Sequence, residues 1–345
     1  MAVRTITLTD GIGEVVIVPD LGAGLARYDL VSNGRREPLF RPCRDLTRAT
    51  PFDLASNLLA PWSNRISGGG FHFGGRFYPL QPNLAGEPTP IHGNGFSSIW
   101  KVVEATAAGA TLAFDSDGPG PFRFAAEVRY ALEAGALRIA MKVTNRGLDK
   151  LPFGLGLHPW LPRTPGATLQ ARATMVTLED DFHLPAGQVS VPSRQEWDFS
   201  TPRRLPDGWI NNDFSPWDGH AEIVWTDRGL RLRIEADKAL SAYVVYSPAF
   251  DADFFCFEPV THLVDAHNRS GGPEANGLAL LDGGEDLAIA CRFIPARLER
   301  REAAGASMLR SPLTMRPRIR AVRESRDASS RDRNRRDDAG RACRF

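Results

Sequence analysis

No apolar run in this 345-residue sequence approaches the length of a membrane-spanning helix, so no membrane partner is expected. The first twenty residues lack the apolar stretch and small-residue cleavage site of a secretory leader, so the expected location is cytoplasmic. Cysteine is scarce. Cys43, Cys256, Cys291 and Cys343 never fall into a CxxC spacing, which argues against a zinc knuckle or a dithiol centre and leaves free thiols in a reducing compartment. There is no GxGxxG and no GxxxxGK[ST], so ATP and nicotinamide are not expected, and no other cofactor is indicated. HExxH and the GxSxG elbow are missing too. His262 and His267 stand five apart with no third ligand recognisable in sequence, so no metal is expected. Helical periodicity is almost lacking; its best stretch, Leu298–Leu309, comes after the last strand signal.

Period-two patterning dominates instead. Phe122, Phe124, Ala126, Val128, Tyr130 and Leu132 share one face of a strand, and Leu137, Ile139, Met141 and Val143 share one face of the next. Residues 133–135 lie between them, so the pair predicts a β-hairpin. Further strands are expected at Val15–Val18, Thr111–Phe114, Ala221–Trp225, Leu230–Ala236, Ala242–Ser247 and Leu287–Phe293, separated by Gly, Pro, Asn and Asp. Many antiparallel strands, each with one apolar face, imply an all-β fold of two sheets packed face to face, a large antiparallel β-sandwich.

The net charge of +1 hides an asymmetry. Residues 297–345 carry 15 arginines against 7 acids, which leaves the rest of the chain near −7. An acidic body is a poor match for a phosphate backbone, so nucleic acid is not an expected partner. The domain is expected to span residues 1–295. Residues 296–345 read as an Arg-rich extension, mostly disordered, because so charged a segment has too few apolar residues to build a core.

Four segments carry candidate chemistry. In residues 57–80, Asn64 and Arg65 precede three glycines. Arg65 there is either a rigid donor fork for ligand oxygens or a surface arginine beside a turn. In residues 90–100, His92 is followed by two glycines within three positions, which permit close backbone approach to a ligand or simply a tight turn. In residues 151–162, His158 ends an apolar, Gly-rich strand and precedes Pro159 and Trp160. A ring face for C–H surface and an imidazole for an oxygen suit a sugar; a satisfied core histidine is the alternative. In residues 254–271, Glu258 is embedded among aromatic and apolar residues. A carboxyl in such a setting is costly unless it is paired or used chemically, so Glu258 is a general acid or base, or one half of an ion pair.

These segments resemble the aldose 1-epimerase (galactose mutarotase) family, its bacterial branch in particular, over residues 5–295. The resemblance rests on Asn64-Arg65-Ile66 with its glycines, His92-Gly93 with Trp100, His158-Pro159-Trp160, Trp217-Asp218-Gly219, and Glu258-Pro259 with Asn268. It implies a β-supersandwich that interconverts sugar anomers without cofactor or metal, the partner being a small monosaccharide. His158 would be the general acid toward the ring oxygen and Glu258 the general base toward the C1 hydroxyl. That asks for a protonated His158 and an ionised Glu258 at the start. Arg65, His92, Asn64 and Trp160 would bind and orient the sugar. One departure is visible. Where the family usually has a hydroxyl-binding aspartate, this chain has Asn211, which can hydrogen-bond a hydroxyl but gives no charge-assisted acceptor, with Asp213 nearby; either Asp213 takes the role through a local shift, or the chain binds a different sugar or binds it less tightly. A hexose-phosphate 1-epimerase, marked by arginines clustered near His158, and a non-catalytic sugar-binding protein are the alternative functions.

Overall fold

The computed structural model describes residues 3–299. The Leu298–Leu309 helix signal and the Arg-rich extension lie, but for their first residues, outside them. Among the described residues every helix is a three-residue 3-10 turn and all other regular structure is β. None of these helices is long and apolar enough to cross a membrane.

One antiparallel sheet of eleven strands runs in the spatial order Ile6–Thr9, Gly13–Val18, Gly24–Ser32, Ser56–Leu59, Gly156–Pro162, Phe254–Val260, Ala242–Ser247, Ile210–Ser215, Met175–Glu179, Pro185–Ser190, with Arg35–Pro38 paired to Gly24–Ser32. A second sheet of eight runs Ala167–Ala171, His220–Trp225, Leu230–Ala236, Asp286–Arg297, Ala136–Asn145, Phe124–Glu133, Gly109–Ser116, Lys101–Ala105. Each strand expected from alternation is present. The last continues past Phe293 to Arg297, because residues 294–297 still pair with Leu230–Arg233. The hairpin register sets Glu133 against Ala136. Ala134 and Gly135 both adopt positive φ, 50° and 79°, the geometry of a two-residue type I′ turn.

The apolar faces of the two sheets form one core. Leu25, Leu157, Tyr243 and Phe257 from the larger sheet join Val128, Ile139, Leu232 and Phe293 from the smaller. Burial of this surface drives the sheets together. Two tyrosines add cross-sheet links. Tyr28 Oη donates to Gly135 O at 2.7 Å, and Tyr130 Oη donates to Ala23 O at 2.7 Å. The opposite face of the larger sheet carries the polar residues considered next.

Candidate functional site

Directly opposed residues of antiparallel strands point to the same face. His158 opposes Asn57 on one side. On the other, Gly156 pairs with Val260 and Trp160 with Cys256, a register that sets His158 opposite Glu258. Glu258 in turn opposes Val244, which opposes Asp213. One transverse row therefore reads Asn57, His158, Glu258, Val244, Asp213. The next row reads Trp160, Cys256, Tyr246, Asn211. The His158 strand does not end at His158 but runs on to Pro162. Pro159 and Pro259 have no N–H to donate, and they fall within a gap in this register, around the His158–Glu258 pair.

His158 Nε2 lies 3.4 Å from Glu258 Oε1, and both side chains are buried. Burial pushes the Glu258 carboxyl up to about 8, against a smaller downward pull from Arg65. Burial likewise pushes the His158 imidazole down to about 3, and the nearby Arg41 charge adds to that. Desolvation thus favours a neutral histidine beside a protonated glutamate, the reverse of the starting charges that the family resemblance implies. The pair holds one proton in either arrangement.

Loops close over this row. Asn64 and His92 both take left-handed φ, 58° and 59°. They are locked together: His92 N donates to Asn64 O and Asn64 N donates to His92 Nδ1, each at 3.0 Å. Since Nδ1 accepts, neutral His92 carries its proton on Nε2 and offers a donor there. Its ring sits edge-on to that of His158, centroids 5.3 Å apart. Gly93 is required at its position: φ is +65°, and a Cβ would lie 2.1 Å from Ala60 O. Arg65 is buried rather than on the surface. Its Nε and Nη2 donate to the two oxygens of Glu87, each at 3.0 Å. The Arg65 loop is held from behind by Asp265, which accepts from Ser67 N and Ser67 Oγ, and by Asn268, which donates to Ser67 O and Gly70 O.

Trp160 stacks on His158 with an interplanar angle of 15°. Arg41 lies over Trp160 at 4.2 Å and over Phe254 at 4.8 Å, and donates to Phe52 O. Among the described residues it has no carboxylate within ion-pair distance. Asn211 donates from Nδ2 to Glu179 Oε2 at 2.9 Å, and Glu179 also meets His183 Nδ1 and Trp209 Nε1. Asp213 is 1% exposed. Both its oxygens take protein donors, Thr177 Oγ1 at 2.5 Å and Val264 N at 3.0 Å, with Arg269 at 3.5 Å.

The structure thus brings Asn64, Arg65, His92, His158, Trp160 and Glu258 together and sets Asn211 and Asp213 two strands from Glu258. Asn57, Glu87, Arg41 and Glu179 carry no signal in the sequence. Their neighbours along the chain form no motif, and only strand register and loop packing give them their place. Trp217 belongs to the core, edge-on to Tyr243 and Phe257. His262 is a satisfied core histidine, with Nε2 accepting from Ser63 N and Nδ1 donating to Leu263 O. His158, Cys256 and Glu258 offer three possible metal-ligand atoms within 4.8 Å of one another. Burial pushes the Cys256 thiol well up, which disfavours the thiolate that a metal prefers.

Four buried histidines have one consequence for stability. Burial depresses His92, His158, His262 and His267. Below the ordinary value of 6.5 the unfolded chain takes up protons that the folded chain refuses, so stability is lost as pH drops. Glu258, raised by burial, and Asp213 and Asp265, raised in the same sense, oppose this only in part. We expect thermal melts to shift down steadily from pH 7 toward pH 5, by about 1.4 kcal/mol per pH unit for each net proton. A flat profile over that range would contradict neutral burial of these rings.

Comparisons with known proteins show the family and the fold. The family described as Aldose 1-epimerase matches residues 4–290. The Escherichia coli (strain K12) protein YphB is 35% identical over 254 residues, covering 72% of this chain and 85% of YphB. A solved Escherichia coli K12 structure, assigned provisionally to aldose 1-epimerase, superposes with a TM-score of 0.78 at 30% identity, covering 86% of this chain and 99% of that one. A galactose mutarotase-like protein from Clostridium acetobutylicum has the same fold, with a TM-score of 0.74 at 19% identity over 86% of this chain and 96% of its own. With the match spanning nearly the whole described domain, the chain belongs to the aldose 1-epimerase family.

Proposed function

We propose that this protein interconverts the α and β anomers of a free aldose by acid–base ring opening and reclosure, with His158 and Glu258 as the catalytic pair. The observation that carries the reading is their contact, two buried titratable groups 3.4 Å apart. Anomer exchange needs one proton delivered to the ring oxygen and one removed from the C1 hydroxyl. When the shared proton is on His158, it passes to the ring oxygen as the C1–O bond of the ring breaks. Glu258 takes the C1 hydroxyl proton as the aldehyde forms. The pair is then neutral. Rotation about C1–C2 and reclosure return both protons and give the other anomer. Burial favours the neutral pair, which is the form that accompanies the open-chain aldehyde. The protein thus stabilises the intermediate side of the reaction and relies on sugar hydroxyls and Arg65 to recover the charged form.

The remaining residues bind. His92 Nε2–H and Arg65 face oxygens of the sugar, Asn64 holds His92 in register, and Trp160 flanks the acid. Asn211 takes the place of the family's aspartate. Its NH2 group donates to Glu179, and its amide oxygen is the acceptor left for a sugar hydroxyl, without the aspartate's charge. Asp213 joins its strand to the Val264–Arg269 loop.

Polarimetry on pure α-glucose, galactose, arabinose, xylose and fucose, read against spontaneous mutarotation in the same buffer, tests the reading. Acceleration that disappears in His158→Ala supports it. No acceleration with any neutral aldose would sink it. Arg41, a cation beside Trp160 with no carboxylate partner among the described residues, gives a sugar phosphate its place as second substrate class; acceleration only with glucose 6-phosphate would select that reading.

A further inference from the structure

Two successive backbone amides in the loop that carries Asn64 and Arg65 end on imidazole nitrogens. Ser63 N donates to His262 Nε2 and Asn64 N donates to His92 Nδ1, each at 3.0 Å. A buried amide needs an acceptor and usually finds a carbonyl. Ser63 is buried, and its amide meets a side chain instead. Only a neutral ring with its proton on Nδ1 can accept at Nε2. Both conditions are built in. His262 Nδ1 donates to Leu263 O at 2.8 Å, which fixes the tautomer, and burial pushes the imidazole down to about 4, which keeps it neutral.

The place of this ring in the fold gives the contact its use. His262 stands two residues beyond the Glu258 strand, Phe254–Val260. Thr261, between them, is tied to Leu155 in both directions: Thr261 N donates to Leu155 O at 2.9 Å, and Leu155 N donates to Thr261 Oγ1 at 3.0 Å. The ring lies against Gly154, where a Cβ would fall 2.1 Å from its Cδ2. Gly154 and Leu155 lead directly into the His158 strand, Gly156–Pro162. His262 is therefore anchored to the segments that carry both members of the acid–base pair, while its Nε2 edge holds a turn of a third segment. That turn passes the constraint on. Asn64 bonds His92 through both its N and its O, and its Oδ1 accepts from Arg65 N at 2.9 Å.

We infer that His262 is a positioning residue, holding the Ser63–Asn64 turn, and through it His92 and Arg65, in register with the His158–Glu258 pair. The inference rests on the anomer-exchange reading, which assigns His92 and Arg65 to the sugar. What the role needs is the Nε2 acceptor, not the bulk of the ring alone.

Two variants separate acceptor from bulk. His262→Phe fills the space without an acceptor, and His262→Gln offers an amide oxygen to Ser63 N. On the best sugar of the polarimetric panel, His262→Phe should raise KM about tenfold and leave kcat within about threefold, the pattern of lost binding rather than lost chemistry. His262→Gln should keep both constants within about threefold of wild type. Nitrogen NMR of the full chain with labelled histidine, assigned with His92→Gln and His262→Gln, reads the same contacts without substrate. The wild-type protein should show opposite tautomers, with the proton on Nδ1 of His262 and on Nε2 of His92, and His262→Phe should lose the His92 preference. A wild-type His262 protonated on Nε2 overturns the proposal. So does His262→Phe with an unchanged KM or an intact His92 tautomer, or an equal rise in KM in both variants. Failure of both variants to fold also overturns it and leaves the ring a role in stability alone. If the wild-type protein accelerates no sugar, the anomer-exchange reading fails, and the His92 tautomer in His262→Phe still decides whether the ring positions the turn.

Discussion

Glu258→Gln is expected to lower the rate of anomer interconversion by about 10²–10⁴, the usual contribution of a positioned acid–base group. It is also expected to leave the folded protein as stable or more so. The two effects share one cause. Burial raises the carboxyl from its ordinary 4.5 to about 8. Between those values the unfolded chain holds an ionised glutamate that the folded site keeps protonated, so the Glu258 contribution to stability, taken apart from that of the buried histidines, declines as pH rises through this window. Glutamine cannot ionise and escapes the decline. The stability gain of Glu258→Gln over the wild type should therefore be negligible near pH 4 and grow toward pH 8. Chemical denaturation at several pH values measures it. A variant that retains activity, or one whose stability difference does not depend on pH, would show that Glu258 is neither the base nor the buried titrating group.

Activity and pH are linked through the same residue. The pair titrates as a unit, so its apparent constants belong to both groups. Wild-type activity should fall on the alkaline side as the shared proton leaves, near 8 if burial acts as described. The neutral state of both groups is what ordinary reference values would not give, and it comes from the apolar strands on which they sit.

How much of this was legible in the sequence depends on the kind of residue. Alternation in Leu230–Ala236 marks that strand to the residue, because one face is in the core and the other is not. The Phe254–Val260 strand alternates poorly, being buried on both faces, and so yields Glu258 only as an acid in apolar company. Arg65 looked like a possible surface residue because its partner, Glu87, lies 22 positions away across a loop that no local pattern encodes. Asn57 had no signal at all. It lies beside the apolar residues of Ser56–Leu59, and only pairing with the distant Gly156–Pro162 strand brings it to His158. Opposite readings of Asn211 and Asp213 were equally available in sequence. Only the fold shows what each side chain meets: both Asp213 oxygens take protein donors, while Asn211 donates from its amide to Glu179.

Removing the partner of Arg65 should have the largest effect on the fold itself. The Arg65 and Glu87 side chains are 4% and 7% exposed, and two parallel hydrogen bonds join them. A buried ion pair gains little over well-packed apolar residues, but breaking one leaves an uncompensated charge, at a cost of about 3–5 kcal/mol. Glu87→Ala is therefore expected to lose roughly that amount, whereas the double replacement Arg65→Met with Glu87→Leu should recover most of it. Activity should not recover with stability. The double variant has no guanidinium to meet the sugar or to oppose the burial of Glu258. In Glu87→Ala the unpaired Arg65 charge should pull Glu258 downward more strongly than in the wild type, and the alkaline limb of the rate profile should move to lower pH. Denaturant titration and polarimetry on the same three proteins separate the effects. Equal stability of Glu87→Ala and wild type would mean that the pair is not desolvated. Full activity in the double variant would remove Arg65 from the site and leave its burial a matter of loop packing alone.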